Sequence, residues 1–188
     1  TVISAGLLQR PSFHHICFES PEPGPARCLT SGNAMDVARV KFLLNSGLKL
    51  GRELKQSLLI TECVPGGTTT AFAVLTGLGI DVNGLISGSN RKPPTELKIK
   101  LVEQGLNTAN LGKHPTSIDL MAAVGDPFQP IALGLLMGAR ESDQEVLLGG
   151  GSQMVAVLAL ALHQIETSSR SQFVEKILIG TTSWLVEE

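Results

Sequence analysis

The sequence has no tyrosine, one tryptophan and six phenylalanines. That is too few aromatic rings for the base-stacking platforms of single-stranded nucleic-acid binders. It also lacks an excess of positive charge: 15 Lys and Arg against 17 Asp and Glu leave a net charge of −2. No basic field exists to hold nucleic acid or anionic lipid. Long hydrophobic runs are missing as well. The longest, Met154–Leu162 (MVAVLALAL), is about half a membrane span and reads as a buried helix. No secretory signal is read at the start of the chain. The three cysteines, Cys17, Cys28 and Cys63, are odd in number and have no metal-ligand spacing. Free thiols in a reducing cytoplasm, with no metal and no cofactor, are the expectation.

What is present is an apolar, globular balance: 43% of the 188 residues are hydrophobic and 17% charged. One domain spanning residues 1–188 is expected. One arrangement recurs three times, a short apolar run followed by small or hydroxyl residues. Ser57–Thr61 (SLLIT) leads to Gly66, Gly67, Thr68, Thr69 and Thr70; Glu145–Leu148 leads to Gly149, Gly150, Gly151 and Ser152; Ile177–Ile179 leads to Gly180, Thr181 and Thr182. Apolar runs without alternation are the pattern of strands covered on both faces. Strands separated by helical stretches predict an α/β fold: a parallel sheet with flanking helices in a Rossmann-like three-layer arrangement. Ligands in such sheets collect beyond the carboxyl ends of the strands, where these small-residue turns fall.

Between the strands the pattern is mostly helical. Asp36 is placed to cap a helix whose apolar face runs through Val37, Val40, Leu43, Leu44 and Leu48. Thr95 precedes a helix over Glu96–Leu106 with Leu97, Leu101 and Val102 on one side, and Pro127 and Pro130 open another at Phe128–Ala139. Phe13–Glu19 reads as a strand, with His14 and His15 facing opposite sides and so unable to grip one metal together. Ser20–Arg27, with three prolines and a glycine, reads as a stiff loop.

The strongest local signal is Glu62–Thr70 (ECVPGGTTT). Glycines let backbone approach a ligand closely, and threonines at a helix start offer hydroxyls and free amides where the dipole favours an anion. A phosphate suits that turn, and so does plain helix capping. No Gly-Lys-Ser/Thr follows, which excludes the P-loop, and the dinucleotide GxGxxG is absent. Gly149–Ser152 repeats the logic, or serves only close packing of the next helix. Ser87–Pro94 is a polar loop carrying Ser87, Ser89 and two cations, and Lys98 follows about one helical turn later. A phosphate there needs a counter-charge, which Lys98 can supply. Asp126 and Gln129 flank a helix start and either touch ligand or merely cap it. Of the carboxylates, Glu62 alone is expected beside the first turn, with Asp126 at a separate helix.

Together these segments resemble the nicotinate-nucleotide–dimethylbenzimidazole phosphoribosyltransferases, and most nearly their archaeal and cyanobacterial branch. The resemblance rests on Glu62–Val74, Glu96–Leu106, Val124–Gly138, Val146–Val157 and Ile177–Trp184, and covers most of residues 35 to 188 in order. It implies an α/β homodimer that moves phosphoribosyl from nicotinate mononucleotide to a heteroaromatic base (dimethylbenzimidazole, or a related azole or purine) for the lower ligand of cobalamin. The family's better-studied loop reads Glu-x-Gly-x-Gly-Asn-Thr-Thr. Glu62, Gly66, Thr68 and Thr69 fall on its Glu, second Gly and both Thr, while Val64 replaces the first Gly and Gly67 the Asn. Lys98 falls on a lysine that the family places near the phosphate, and Gly149–Ser152 on a second ligand loop. The resemblance further implies a longer native chain, since full-length members are nearly twice this length and carry a general-base glutamate downstream. Without that glutamate Glu62 is the catalytic candidate, and a non-catalytic nucleotide-binding or regulatory paralogue is the alternative.

Overall fold

The computed structural model describes residues 1–18, 20–86 and 94–183. Two short strands, β1 (Ile3–Ser4) and β2 (Ile16–Cys17), pair in parallel at the amino end. The strand expected over Phe13–Glu19 is therefore only two residues long. His14 and His15 precede it, and the His15 Nδ1 lies 2.8 Å from the Phe13 carbonyl.

The main sheet has three strands, β3 (Leu58–Ile60), β4 (Val146–Gly149) and β5 (Ile177–Gly180). All are parallel, in the order β3-β4-β5. These are the three apolar runs of the sequence, joined by helices. α1 is Val37–Glu53, α2 Gly67–Gly77, α3 Thr95–Ala109, α4 Ser117–Val124, α5 Phe128–Glu141, α6 Ser152–Gln164 and α7 Arg170–Val174. This is the α/β, helix-flanked parallel sheet expected. One face of the sheet is buried through Ile60, Val146 and Leu148. The other carries Leu59, Leu147 and Leu178, register partners that are 59, 38 and 70% exposed. The apolar runs thus match a two-sided strand chemically, although the described residues cover only one side.

The core lies between that buried face and the helices, through Val40, Leu43, Val74, Leu75, Met121, Leu133, Leu136, Met154 and Leu160. The tightest packing joins α1 to α5, where glycines replace side chains at the crossing. A Cβ on Gly134 would run into the Leu44 carbonyl, and one on Gly47 into the Ile131 carbonyl. The two backbones therefore touch directly.

Two helix details depart from the sequence pattern. α1 starts where Asp36 marks it, yet the Asp36 carboxylate caps nothing. It accepts instead from the Arg27 guanidinium at 2.8 Å, a charge-assisted bond stronger than one to a neutral amide. In α3 the buried positions are Lys98, Val102 and Gly105, while Leu97 is 54% exposed. The stripe runs i, i+4, i+7 from a lysine, so the apolar count alone put the face one residue off.

Candidate functional site

At the carboxyl edge of the sheet, the turns after β3 and β4 each open directly into a helix. Gly66 is the N-cap of α2 with φ +77°, a left-handed conformation that only glycine adopts freely. A Cβ there would meet nothing within 4 Å, so its open side faces space that a ligand can occupy. The Gly66 carbonyl accepts from the Thr69 amide at 2.9 Å, and the Val64 carbonyl from Gly67 at 2.9 Å. The Thr68 amide donates to no group among the described residues, as expected of a helix's first turn. The second turn, Gly149–Gly151, leads into α6 at Ser152. Gly150 donates to the Gly180 carbonyl at 2.8 Å. The amides of Gly151, Ser152 and Gln153 make no hydrogen bond among the described residues.

The two turns are in contact. An ideal Cβ on Gly67 would lie 2.9 Å from Gln153 Nε2, and one on Gly149 would lie 3.1 Å from Thr61 Cγ2. Two helix N-termini thus point into one region, each contributing its dipole's positive end. α3 supplies a cation there. Lys98 is 7% exposed and its Nζ donates to Thr68 Oγ1 at 3.0 Å. Burial pulls its ammonium below the ordinary lysine range. Glu62 precedes the same turn, and its carboxylate accepts from the Val64 amide at 2.6 Å. Glu62 is exposed overall, yet partial desolvation raises its carboxyl; the Val64 amide bond opposes that rise and the charge of Asp126 adds to it.

That Asp126 effect corrects one expectation. Asp126 stands at the start of a separate helix, α5, as expected, yet its side chain reaches the first turn, so Glu62 is not the only carboxylate there. It is 4% exposed, accepts from the Thr70 hydroxyl in a short hydrogen bond, and accepts from Gln153 Nε2 at 2.6 Å. Its other oxygen accepts from the amides of Phe128 at 3.0 Å and Gln129 at 3.4 Å, so it also caps α5. Burial raises its carboxyl above the usual range against these four bonds. Gln129, fully buried, donates to Gln153 Oε1 at 3.0 Å.

Glu62, Gly66, Gly67, Thr68, Thr69, Lys98, Asp126, Gln129 and the Gly149–Ser152 turn therefore gather at one edge. Ser87 and Ser89 lie outside the described residues. Sequence reasoning missed Thr70 as a network member and missed Gln153 altogether. The available signal was a lone amide at the mouth of the otherwise apolar run Met154–Leu162. Among the described residues no group of three or more His, Cys, Asp or Glu is placed to hold a metal ion, and no helix is long and apolar enough to cross a membrane. Cys17, Cys28 and Cys63 are free and exposed.

Comparison with known proteins bears on the fold and the family. A family model described as phosphoribosyltransferase matches residues 22–174. The UPF0284 protein of Prochlorococcus marinus strain MIT 9313 is 57% identical over 187 residues, covering 100% of this chain and 46% of that relative. The UPF0284 protein SYNW1869 of Parasynechococcus marenigrum strain WH8102 is 53% identical, covering 100% of this chain and 47% of its own length. The chain thus spans about half the length of the curated relatives it matches. Among solved structures, CobT from Thermus thermophilus superposes with a TM-score of 0.77 at 19% identity, covering 95% of this chain and 53% of that one. A nicotinate-nucleotide-dimethylbenzimidazole phosphoribosyltransferase structure from the same organism gives 0.73 at 18% identity, covering 95% and 52%. At such identities the likeness speaks for the fold alone. With a family model matching most of its residues, the chain belongs to the phosphoribosyltransferase family.

Proposed function

We propose that residues 1–188 form one α/β unit that binds the phosphoribosyl donor in transfer from nicotinate mononucleotide to a heteroaromatic base, a step toward the lower ligand of cobalamin. The observation that carries this reading is the convergence of two helix N-termini and the buried Lys98 on one edge of the sheet. The phosphate would sit against Gly66–Thr69, with Lys98 and the Gly149–Ser152 turn closing around it. Free amides and an ammonium match a phosphate dianion in both charge and hydrogen-bond polarity.

The chemistry is a displacement at the anomeric carbon. The bond from that carbon to the pyridinium nitrogen breaks, and its electron pair leaves with nicotinate. A lone pair of the incoming base nitrogen forms the new bond. Positive, oxocarbenium-like charge develops on the ribose between these events, and a carboxylate beside it lowers the barrier. The base must then lose a proton from its second nitrogen, and the Glu62 carboxylate takes it in this reading. A raised carboxyl is the better acceptor, because its basicity lies nearer the working pH. No pyrophosphate leaves, so the chemistry itself creates no need for a neutralising metal. The CobT neighbours support the donor and base by family likeness. A homodimer in a reducing cytoplasm belongs to the same proposal.

The test is formation of base ribotide from nicotinate mononucleotide, with dimethylbenzimidazole and adenine supplied separately. The longest native reading frame that contains these residues should produce ribotide and free nicotinate one for one. Glu62→Gln in the same frame should slow transfer about 10²–10⁴-fold, the typical cost of removing a general base. Binding of nicotinate mononucleotide without any transfer by the longest frame would favour the regulatory paralogue.

A further inference from the structure

Asp126 spends its two carboxylate oxygens on different tasks. One accepts from the amides of Phe128 and Gln129, which is all that capping α5 requires. The other does no capping. It accepts from Thr70 Oγ1 in the first turn of α2 and from Gln153 Nε2 in the first turn of α6. These helices are the two whose N-termini converge on the site. Gln129 closes the network by donating to Gln153 Oε1 at 3.0 Å, while its own Oε1 accepts from the Asp126 amide at 3.4 Å. Asp126, Gln129 and Gln153 are 4, 0 and 2% exposed. Three polar side chains buried together are costly unless fully paired, and an apolar filling of the same space would serve packing as well.

We infer that Asp126 is a positioning residue that locks the turns Gly66–Thr69 and Gly149–Ser152 into one phosphate-binding register. The inference rests on the proposed phosphate site and adds the element that holds its two halves together. Thr70 lies in the same helical turn as Thr68 and Thr69, and Gln153 adjoins Ser152, so tying the first pair fixes the second. Without the shared oxygen, the buried Gln153 Nε2 loses its acceptor, and the Thr70 hydroxyl is left with the Gly67 carbonyl of its own turn at 3.0 Å, which ties it to nothing beyond α2. The helix ends are then free to separate, and a displacement of about 1 Å in a positioned site costs on the order of a hundredfold. Lys98 grips α2 from the other side through Thr68, so the turn is held between a cation above and a carboxylate below.

The experiment measures affinity for inorganic phosphate and for nicotinate mononucleotide by calorimetry, in the longest native frame, with Thr70→Val, Thr70→Ser and Asp126→Asn. Thr70→Val keeps the volume and removes only the hydroxyl, so it carries the test even if Asp126→Asn does not fold. Leu43→Ala, a cavity in the middle of α1 away from the turns, controls for general loosening. Thr70→Val and Asp126→Asn should each weaken both ligands roughly tenfold or more, and the double variant should be no worse than Asp126→Asn. Thr70→Ser should restore wild-type affinity, and Leu43→Ala should leave it unchanged. Thr70→Val within about twofold of wild type overturns the inference, as does an equal loss in Leu43→Ala. If the wild type binds inorganic phosphate but not the nucleotide, the proposed substrate falls while the role of Asp126 is still decided by the phosphate arm. If it binds neither, both readings fall.

Discussion

Replacing Lys98 with Met keeps the length of the buried stem and removes only the charge. The side chain is 7% exposed and its Nζ lies 3.0 Å from Thr68 Oγ1, so a bound phosphate at that turn would meet an ammonium with little water around it. A charge-assisted hydrogen bond of this kind contributes about 1.5–3 kcal/mol, a loss of roughly 10–150-fold in affinity. The pH dependence has a defined sign. Burial lowers the ammonium below its ordinary 10.5, and only the charged form attracts phosphate. Affinity should therefore fall with rising pH sooner than a free lysine would allow. Phosphate binding favours the charged form, so protons should be taken up on binding in that alkaline range. Lys98→Met should abolish this limb as well as weaken binding. Calorimetry of nicotinate mononucleotide across pH, in two buffers of different ionisation enthalpy, reads both effects. A change under about 0.5 kcal/mol, with no difference in proton uptake, would refute a phosphate role and make Lys98 a purely structural partner of Thr68.

Other outcomes follow from the same geometry. Gly66→Val should lose nucleotide binding and also stability, because a β-branched residue is strained at φ +77°. Gly66→Asn, which tolerates that conformation better, should keep its melting temperature near wild type and still weaken binding by filling the open space; wild-type affinity in Gly66→Asn would move the ligand elsewhere. Gly134→Ala should cost about 1–3 kcal/mol or more in denaturant unfolding, since its Cβ would run into the Leu44 carbonyl, and an unchanged midpoint would contradict the α1–α5 contact. In the transfer assay, Glu62→Gln should remove the acid limb of the rate profile. That limb should lie above the ordinary carboxylate range because burial raises Glu62. Persistence of the limb in Glu62→Gln would assign it to another group.

The strands and turns were legible because they are written in local chemistry. Three apolar runs, each followed by small or hydroxyl residues, could only be strands opening into turns, and β3, β4 and β5 lie there within a residue or two. The register between them and the meeting of the turns depend on contacts far apart in sequence. Asp126 and Gln153 illustrate the limit. Fifty-six residues separate Thr70 from Asp126, and nothing local to either announces the other. In the sequence Gln153 is one polar residue at the mouth of an apolar run, and its bonds to Asp126 and Gln129 exist only once α5 and α6 meet. The shift in α3 has the same origin. A lysine occupies the inward stripe, where its ammonium reaches the Thr68 hydroxyl, against the hydrophobic pattern that otherwise locates a buried face.

A crystal structure with nicotinate mononucleotide bound tests the central claim most directly. The account predicts the phosphate within hydrogen-bonding distance of the Thr68 amide, Lys98 Nζ and the Gly151–Gln153 amides, with the ribose directed toward Glu62. A phosphate held elsewhere, with Lys98 still bonded only within the protein and the two turns empty, would contradict it.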